Sequence, residues 1–209
     1  MKYSFYLFLV TISFAACQKN TAVTTIPVTS ATVKDLVADT IIGTSLQGQP
    51  YGANKFTFYS LESNKIIAST DSASTKWDLA FKGTTILTNG GTSGPGKGGA
   101  FVYIGLYDGV TAVPADSTFK TDNAPTYAIT TGSNKGWYVY DGMNNLINPI
   151  PGRVLMIRTA NGNYAKVEIL NYYKGGVTPS ATASDAIKSS EQRYYTFRFT
   201  YQPNGSKTF

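Results

Sequence analysis

The sequence has no histidine, only one cysteine and few charged residues. Without histidine the chain cannot carry Ser-His-Asp or Cys-His catalysis, a histidine metal site or an imidazole proton shuttle, since no other side chain titrates unaided near neutral pH. A single cysteine excludes an internal disulfide and a thiolate zinc cluster. What is present is 42% hydrophobic residues, with 20 glycines and 15 tyrosines among 209 residues. This composition favours strands and turns over disorder, so we expect one folded domain with a sizeable core.

The N-terminus has the features of a secretory signal. Lys2 precedes an apolar run over residues 5–14, which leads to Ala15-Ala16 and then to Cys17, the only cysteine. The run is about half as long as the roughly 20 residues that a spanning helix needs. Residues 1–16 are therefore predicted to be a lipoprotein signal peptide, and Cys17 is predicted to be lipidated and to anchor the chain to a membrane. The alternative is an ordinary signal peptide with an incidental cysteine, but an exported cysteine without a partner is unusual.

The residues after the predicted lipidation site have the composition of a linker. Residues 17–32 are polar and rich in threonine, with little periodicity, and are predicted to form a flexible tether. The folded domain is predicted over residues 33–209. The formal net charge is +6, but the lysines are scattered along the chain, so we expect no nucleic-acid partner.

Beyond the tether, apolar residues alternate with a period of two. Tyr195, Phe197, Phe199 and Tyr201 share one face of a predicted C-terminal strand. The Asn161-Gly162 step predicts a tight turn in a hairpin between residues 153–159 and 164–173. Further strands are predicted at residues 55–61, 65–69, 77–81, 84–89, 100–107 and 136–141, and short helices at 33–39 and 184–192. The fold class is therefore predicted to be all-β, a single and mostly antiparallel β domain with few short helices.

A glycine-rich stretch over residues 89–100 partly matches a phosphate-binding loop. Residues 91–97 fit the pattern G-x-x-x-x-G-K, but Gly98 stands where the motif needs Ser or Thr, and a strand pattern follows where it needs a helix. We interpret the stretch as a wide loop that joins two strands, or as a loop that lines a ligand cleft. No pair of carboxylates has a spacing that suggests acid–base catalysis, and Asp78 is predicted to be a structural hydrogen-bond acceptor. We expect no enzyme activity.

Several motifs occur together in an order that is uncommon. They are Trp77-Asp78-Leu79-Ala80-Phe81, Asn89, the glycine run to Ala100, Gly136-Trp137, Arg153-Val154, Ala160-Asn161-Gly162-Asn163 and Ala165-Lys166-Val167. In this order and spacing, over residues 33–203, the chain resembles the HmuY family of Bacteroidetes haem-binding lipoproteins.

The resemblance implies a function as well as a fold. It implies a mostly antiparallel β fold, a lipid anchor at the outer membrane or cell surface (with the periplasmic face as the alternative), and no catalysis. It further implies capture of haem or porphyrin in iron acquisition, with delivery to a TonB-dependent outer-membrane transporter.

The histidines that ligate haem iron in the best-known members of this family are absent, which directs attention to other ligands. Some family members are understood to use methionine, and only Met143 and Met156 remain after signal removal. Met143 lies close to the position of the family's second ligand, and a thioether suits haem iron. The alternative for Met143 is packing at a loop tip. Met156 alternates inside a predicted strand and is expected to lie in the core.

The resemblance also points to the segment between Phe119 and Lys135 as the source of a first ligand. Tyr127 is the only side chain there with ligand precedent, because a phenolate can hold ferric haem; the alternative is an ordinary strand or turn tyrosine. Tyr138 and Tyr140, with Tyr127, are candidates to stack on the porphyrin. Lys135 and Arg153 are candidates to pair with its propionates.

A second function remains open for the same scaffold. An HmuY-like surface lipoprotein that does not bind haem would act as a glycan-binding or adhesive module. A cleft lined by Met143 and by apolar or aromatic side chains would favour haem, whereas a shallow polar surface with aromatic residues in a row would favour a glycan.

Overall fold

The computed structural model describes Met1 and residues 26–209. The predicted lipidation site Cys17 lies outside the described residues. The strands are β1 (Thr29–Val37), β2 (Gly43–Thr44), β3 (Pro50–Tyr51), β4 (Thr57–Ser60), β5 (Lys65–Ile67), β6 (Leu79–Lys82), β7 (Thr85–Thr88), β8 (Gly99–Ile104), β9 (Tyr138–Asp141), β10 (Leu146–Pro149), β11 (Arg153–Arg158), β12 (Tyr164–Tyr173) and β13 (Gln192–Gln202). One α-helix, α1 (Asp185–Glu191), and 3-10 helices at Ser69–Asp71, Tyr107–Gly109 and Lys174–Gly176 complete the described elements.

Two antiparallel sheets make up most of the fold. The first has five strands in the order β1-β13-β12-β11-β8, and the second has four in the order β5-β4-β6-β7. Two short hairpins, β2–β3 and β9–β10, lie outside these sheets. The predicted all-β, mostly antiparallel fold is confirmed, including the hairpin of β11 and β12 and the short helix near residues 184–192.

The core lies between the two sheets, where aromatic rings from both meet. Tyr195, Phe197 and Phe199 of β13 are fully buried, as their alternation predicts. The Phe197 ring stacks on Phe81 of β6 with a centroid distance of 5.5 Å, and it also meets Tyr59 of β4 edge-on at 5.5 Å. These contacts join the second sheet to the centre of the first, so the sheets share one hydrophobic core.

The short helix predicted at residues 33–39 is wrong. Residues 33–37 belong to β1, whose register against β13 shifts between Val33 and Leu36. Asp35 lies within the shift with a φ of 55°. Such a bulge places apolar residues three positions apart on the same face, a spacing that resembles one face of a helix.

The outer face of the first sheet carries a smaller cluster. Tyr107, Val110 and Val113 cover Val154 and Met156 of β11. Met156 is fully buried, which confirms the core position predicted for it.

In the described part of the chain, no helix is long and apolar enough to cross a membrane.

Candidate functional site

Aromatic side chains collect on the outer face of the second sheet. In β4 and just before it, Phe56 and Phe58 alternate with Tyr59, which points into the core, so both phenylalanines face outward. They pack with Tyr127 around the fully buried Trp77, whose ring meets Phe58 edge-on at 4.9 Å. The Trp77 indole N–H donates to the Ser72 carbonyl at 2.8 Å. This cluster leaves an aromatic surface outside the main core.

A cleft of about 700 Å³ opens over this surface, and we call it the Tyr127 cleft. Its walls come from five separate parts of the chain. The lining residues are Phe56, Phe58, Ser72, Ala73, Leu87, Gly91, Thr92, Ser93, Gly94, Pro95, Ala124 and Tyr127. The glycine-rich loop is therefore a wide connection between strands that also lines a cleft, and the strand β8 that follows it shows why no phosphate-binding helix forms.

The buried side chain of Asn89 fixes the glycine-rich wall. Its amide nitrogen donates to the carbonyls of Ser74 and Trp77, both at 2.8 Å, and its oxygen accepts the Gly96 N–H at 3.0 Å. An added Cβ at Gly94 would collide with the Asn89 side chain and with the Trp77 ring. Close packing of the loop on these two residues therefore requires glycine at position 94.

Buried Asp122 fixes the opposite wall, which carries Tyr127. Its carboxylate accepts the Thr88 N–H at 2.9 Å and the Ala128 N–H at 2.8 Å, which ties the segment to the end of β7. The Asp122 carbonyl also accepts the Thr92 N–H from the glycine-rich loop at 2.9 Å. The two walls are thus connected below the cleft, and Tyr127 is held on a braced segment.

A second buried carboxylate, Asp78, lies beneath the loop. It accepts the Leu61 N–H at 2.8 Å and the Ala160 N–H at 3.0 Å, which confirms its predicted role as a structural acceptor. Burial raises the pKa of Asp78 to about 6, although its backbone hydrogen bonds act in the opposite direction. Asp78 joins the ends of β4 and β11, and its ionisation is linked to folding.

Met143 and Tyr140 lie on the β9–β10 hairpin and not in the Tyr127 cleft. Met143 is 92% exposed at the hairpin turn, where its backbone N–H donates to Asp141 Oδ1 at 3.1 Å. The Tyr140 hydroxyl donates to Asn145 Oδ1 at 2.6 Å. Tyr140 lines a second, more polar cavity of about 410 Å³, together with residues from the β2–β3 hairpin and α1.

The other three predicted contact residues are also apart from the Tyr127 cleft. Tyr138 is buried, and its hydroxyl lies 3.4 Å from the Thr84 hydroxyl. Lys135 is exposed just before β9, and Arg153 is half-buried at the start of β11. The cleft therefore brings Tyr127 together with Phe56 and Phe58, which sequence reasoning did not select. Their period-two spacing was the available signal, but it does not show which face stays open.

Comparison with known proteins gives a family and a fold. The family model described as HmuY protein matches residues 53–183. No curated protein matches the chain.

Within the described residues, no group of three or more acidic or cysteine side chains could hold a metal ion.

Among solved structures, the chain is similar to three from Bacteroidetes species. A protein from Bacteroides vulgatus ATCC 8482, described as HmuY-like and heme binding, is 16% identical, with 84% of this chain and 93% of that chain covered and a TM-score of 0.50. The apo HmuY analog of Tannerella forsythia is 16% identical, with 87% and 100% covered and a TM-score of 0.48. A Bacteroides fragilis NCTC 9343 protein described as a lipoprotein is 16% identical, with 86% and 94% covered and a TM-score of 0.47. At 16% identity, the similarity to the Bacteroides vulgatus protein shows that the two chains share a fold.

Proposed function

The chain belongs to the HmuY family, and we propose from this premise that it is a non-catalytic protein that binds haem or a related porphyrin. The observation that carries the proposal is the Tyr127 cleft. Its volume of about 700 Å³ lies within the range of small-molecule sites, and aromatic and aliphatic side chains dominate its walls. A porphyrin is a flat, largely apolar ring system, and the faces of Phe56, Phe58 and Tyr127 offer matching surfaces.

We assign the iron ligand in this cleft to Tyr127. Phenolate is an established ligand of ferric haem. No described residue forms a hydrogen bond with the Tyr127 hydroxyl, so a ligand would not have to displace a structural partner. The hydrogen bonds of Asp122 hold the backbone on either side of Tyr127 in place before binding, which lowers the entropic cost of ordering the site.

Met143 is the alternative ligand, on the β9–β10 hairpin. A thioether there would favour ferrous iron, as a soft and uncharged ligand. Tyr140 of the same hairpin would then supply the stacking contact, and Lys135 and Arg153 the propionate contacts; the Tyr138 ring is buried in the core and has no open face. This arrangement predicts binding that depends on the hairpin and leaves the aromatic cleft empty.

Anchoring and delivery complete the proposal. Cys17 would carry the lipid that holds the protein at the outer membrane or cell surface, and the Bacteroides fragilis structure is of a protein described as a lipoprotein. A TonB-dependent outer-membrane transporter would be the recipient of the haem. The formal net charge is +6 for the whole sequence and +5 once Lys2 is removed with the predicted signal peptide, which supports attraction of the anionic propionates.

A haemin titration tests the function and separates the two ligands. Purified protein is titrated with haemin, oxidised and then reduced with dithionite, and the Soret band is followed for wild type, Tyr127→Phe and Met143→Leu. Tyr127→Phe removes the hydroxyl and keeps the ring, whereas Met143→Leu removes the sulfur and keeps an apolar side chain. We expect a saturable ferric shift that Tyr127→Phe weakens about tenfold or more, equivalent to about 1.4 kcal/mol, and that Met143→Leu leaves unchanged.

Each other outcome has a definite meaning. A loss of haemin binding in Met143→Leu alone would identify Met143 of the hairpin as the iron ligand and refute the assignment to Tyr127. The absence of a saturable shift in either redox state would refute haem binding and leave the glycan-binding or adhesive function.

A further inference from the structure

Three aromatic rings lie in a row on the outer face of the first sheet, away from the Tyr127 cleft. Phe101 of β8 meets Phe119 with a centroid distance of 5.0 Å, and Phe119 meets Tyr164 of β12 at 5.6 Å. All three remain partly exposed. We call this row the aromatic strip. The rings lie side by side along a sheet face, an arrangement that suits an extended ligand more than an enclosed one.

Arg158 extends the strip with a positive charge. It lies directly opposite Tyr164 in the β11–β12 ladder and opposite Gly99 in the β8–β11 ladder. Its guanidinium carbon is 5.7 Å from the centre of the Phe119 ring, a cation–π contact. Its Nε–H donates to the Lys97 carbonyl at 2.7 Å, which leaves the two terminal nitrogens to bind another group.

The backbone at Gly99 makes room for this arrangement. A Cβ at position 99 would lie 2.7 Å from the Lys120 carbonyl oxygen and 3.4 Å from Arg158 Nη2. The 2.7 Å distance is too short for a real Cβ, so the close approach of the Lys120 backbone requires glycine, whereas 3.4 Å to Arg158 is an ordinary van der Waals distance. The absence of a side chain at position 99 thus lets the segment that follows Phe119 pair with β8 beside Arg158.

Two lysines belong to the backbone segments next to Arg158. The backbone of Lys120 pairs with Ala100 next to Gly99, and the Lys97 carbonyl accepts the Arg158 hydrogen bond. Both lysines are exposed. Across the described residues, none of Lys97, Lys120 and Arg158 takes part in an ion pair; the ion pairs involve other cations. The Arg158 guanidinium therefore lies on the aromatic strip without an acidic partner, and two exposed lysines without acidic partners come from the adjoining segments.

We propose that the aromatic strip and its three cations bind an acidic polysaccharide, a chain of sugar rings that carries carboxylate or sulfate groups. The C–H faces of sugar rings carry partial positive charge and pack against the negative faces of aromatic rings. A guanidinium forms paired hydrogen bonds with a planar anionic group, and the flanking ammonium groups add attraction along the chain. This surface shares no residue with the lining of the Tyr127 cleft, so the inference stands whether or not haem binds.

The test compares probes that differ in charge and in ring content. Dextran sulfate, polygalacturonate, neutral dextran, inorganic polyphosphate and oligodeoxythymidylate are titrated into purified protein at about 0.15 M ionic strength. We expect binding of dextran sulfate or polygalacturonate, which identifies sulfate or carboxylate as the preferred group, and no binding of neutral dextran. Arg158→Gln should weaken polysaccharide binding about tenfold. Lys65→Gln, which removes the same charge from an exposed position on β5, should leave binding within about twofold of wild type.

Phe119→Leu distinguishes stacking from charge. It keeps an apolar side chain over the sheet, and its melting temperature confirms folding. We expect weaker polysaccharide binding and unchanged polyphosphate binding, because polyphosphate has no ring faces. Arg158→Lys, which keeps the charge and loses the planar fork, should fall between wild type and Arg158→Gln. Equal losses in Arg158→Gln and Lys65→Gln, equal loss of polyphosphate binding in Phe119→Leu, or binding of oligodeoxythymidylate as tight as that of the polysaccharide would overturn the proposal.

Discussion

At the residue scale, buried polar side chains hold the site together. Asp78, Asn89 and Asp122 are each almost fully buried and each hydrogen bonds to backbone groups from distant parts of the chain. Removing one partner of a buried hydrogen bond leaves the other unsatisfied, at a cost of about 1–3 kcal/mol. These residues therefore fix the positions of loops whose own sequences, rich in glycine, have little conformational preference.

Asp78 makes the stability of the protein depend on pH. The pKa of its carboxyl is 3.8 in an unfolded chain and about 6 in the folded protein. Between these values the folded protein keeps a proton that the unfolded chain has released, so the free energy of unfolding falls as the pH rises. A pKa difference of this size corresponds to roughly 3 kcal/mol.

The Asp78→Asn variant tests this linkage. The amide stays neutral at all pH values and therefore lacks the titration. We expect the unfolding free energy of wild type minus that of the variant to decrease by roughly 2 kcal/mol between about pH 4 and about pH 7, measured by urea denaturation. Other carboxylates titrate equally in both proteins and cancel in the difference. A difference that does not change with pH would contradict the pKa assigned to Asp78.

The predicted lipidation of Cys17 is tested biochemically, since this residue lies outside the described residues. Lipidation requires the thiol, so Cys17→Ala should abolish incorporation of labelled fatty acid and move the protein from the detergent phase to the aqueous phase in a phase-partitioning assay. Serine or threonine residues of the tether offer no substitute for a thioether linkage. Retention of label in Cys17→Ala would show that the anchor is elsewhere.

At the element scale, the glycine-rich loop is the part of the cleft most sensitive to substitution. Gly91 has a φ of 62°, and a Cβ there would collide with the Asp122 carbonyl. Both the backbone conformation and the close approach therefore require glycine. Because the same carbonyl accepts the Thr92 N–H, a shift of the loop at Gly91 would separate the two walls of the cleft.

Gly91→Ala is accordingly expected to destabilise the protein by about 2 kcal/mol or more and to weaken haemin binding. The matched control is Gly109→Ala, since a Cβ at Gly109 would meet no atom within 4 Å. Urea denaturation and the Soret titration provide the two readouts. If both variants behave alike, the loop is not held by the contact with Asp122.

The strands were largely predictable, because alternation over several residues gives a clear signal. β12 begins and ends at the predicted residues, and β13 buries the predicted face. β1 could not be predicted as a strand, because the bulge at Asp35 changes the spacing of its apolar residues. The cleft could not be predicted from the sequence, since its walls come from five segments that only the tertiary fold brings together. Tyr127 was selected from its position along the chain, and its aromatic neighbours were not.

At the scale of the whole molecule, the two sheets share one core and leave two outer faces with different chemistry. The outer face of the second sheet is aromatic and opens into the Tyr127 cleft. The outer face of the first sheet carries the aromatic strip with Arg158 and its neighbouring lysines. A small hydrophobic ligand and an extended anionic ligand could bind at the same time, because the two surfaces share no lining residue, although the glycine-rich loop contributes to both.

The most direct test of the central claim, that haem occupies the Tyr127 cleft, is hydrogen exchange of the whole protein with and without stoichiometric haemin. Bound ligand slows exchange of the backbone amides that it covers or stabilises. We predict slower exchange in peptides that contain Phe58, the glycine-rich loop and Tyr127, and unchanged exchange in the β9–β10 hairpin. Slower exchange confined to that hairpin would contradict haem binding in the Tyr127 cleft and place the haem at Met143. Unchanged exchange throughout would contradict haem binding altogether.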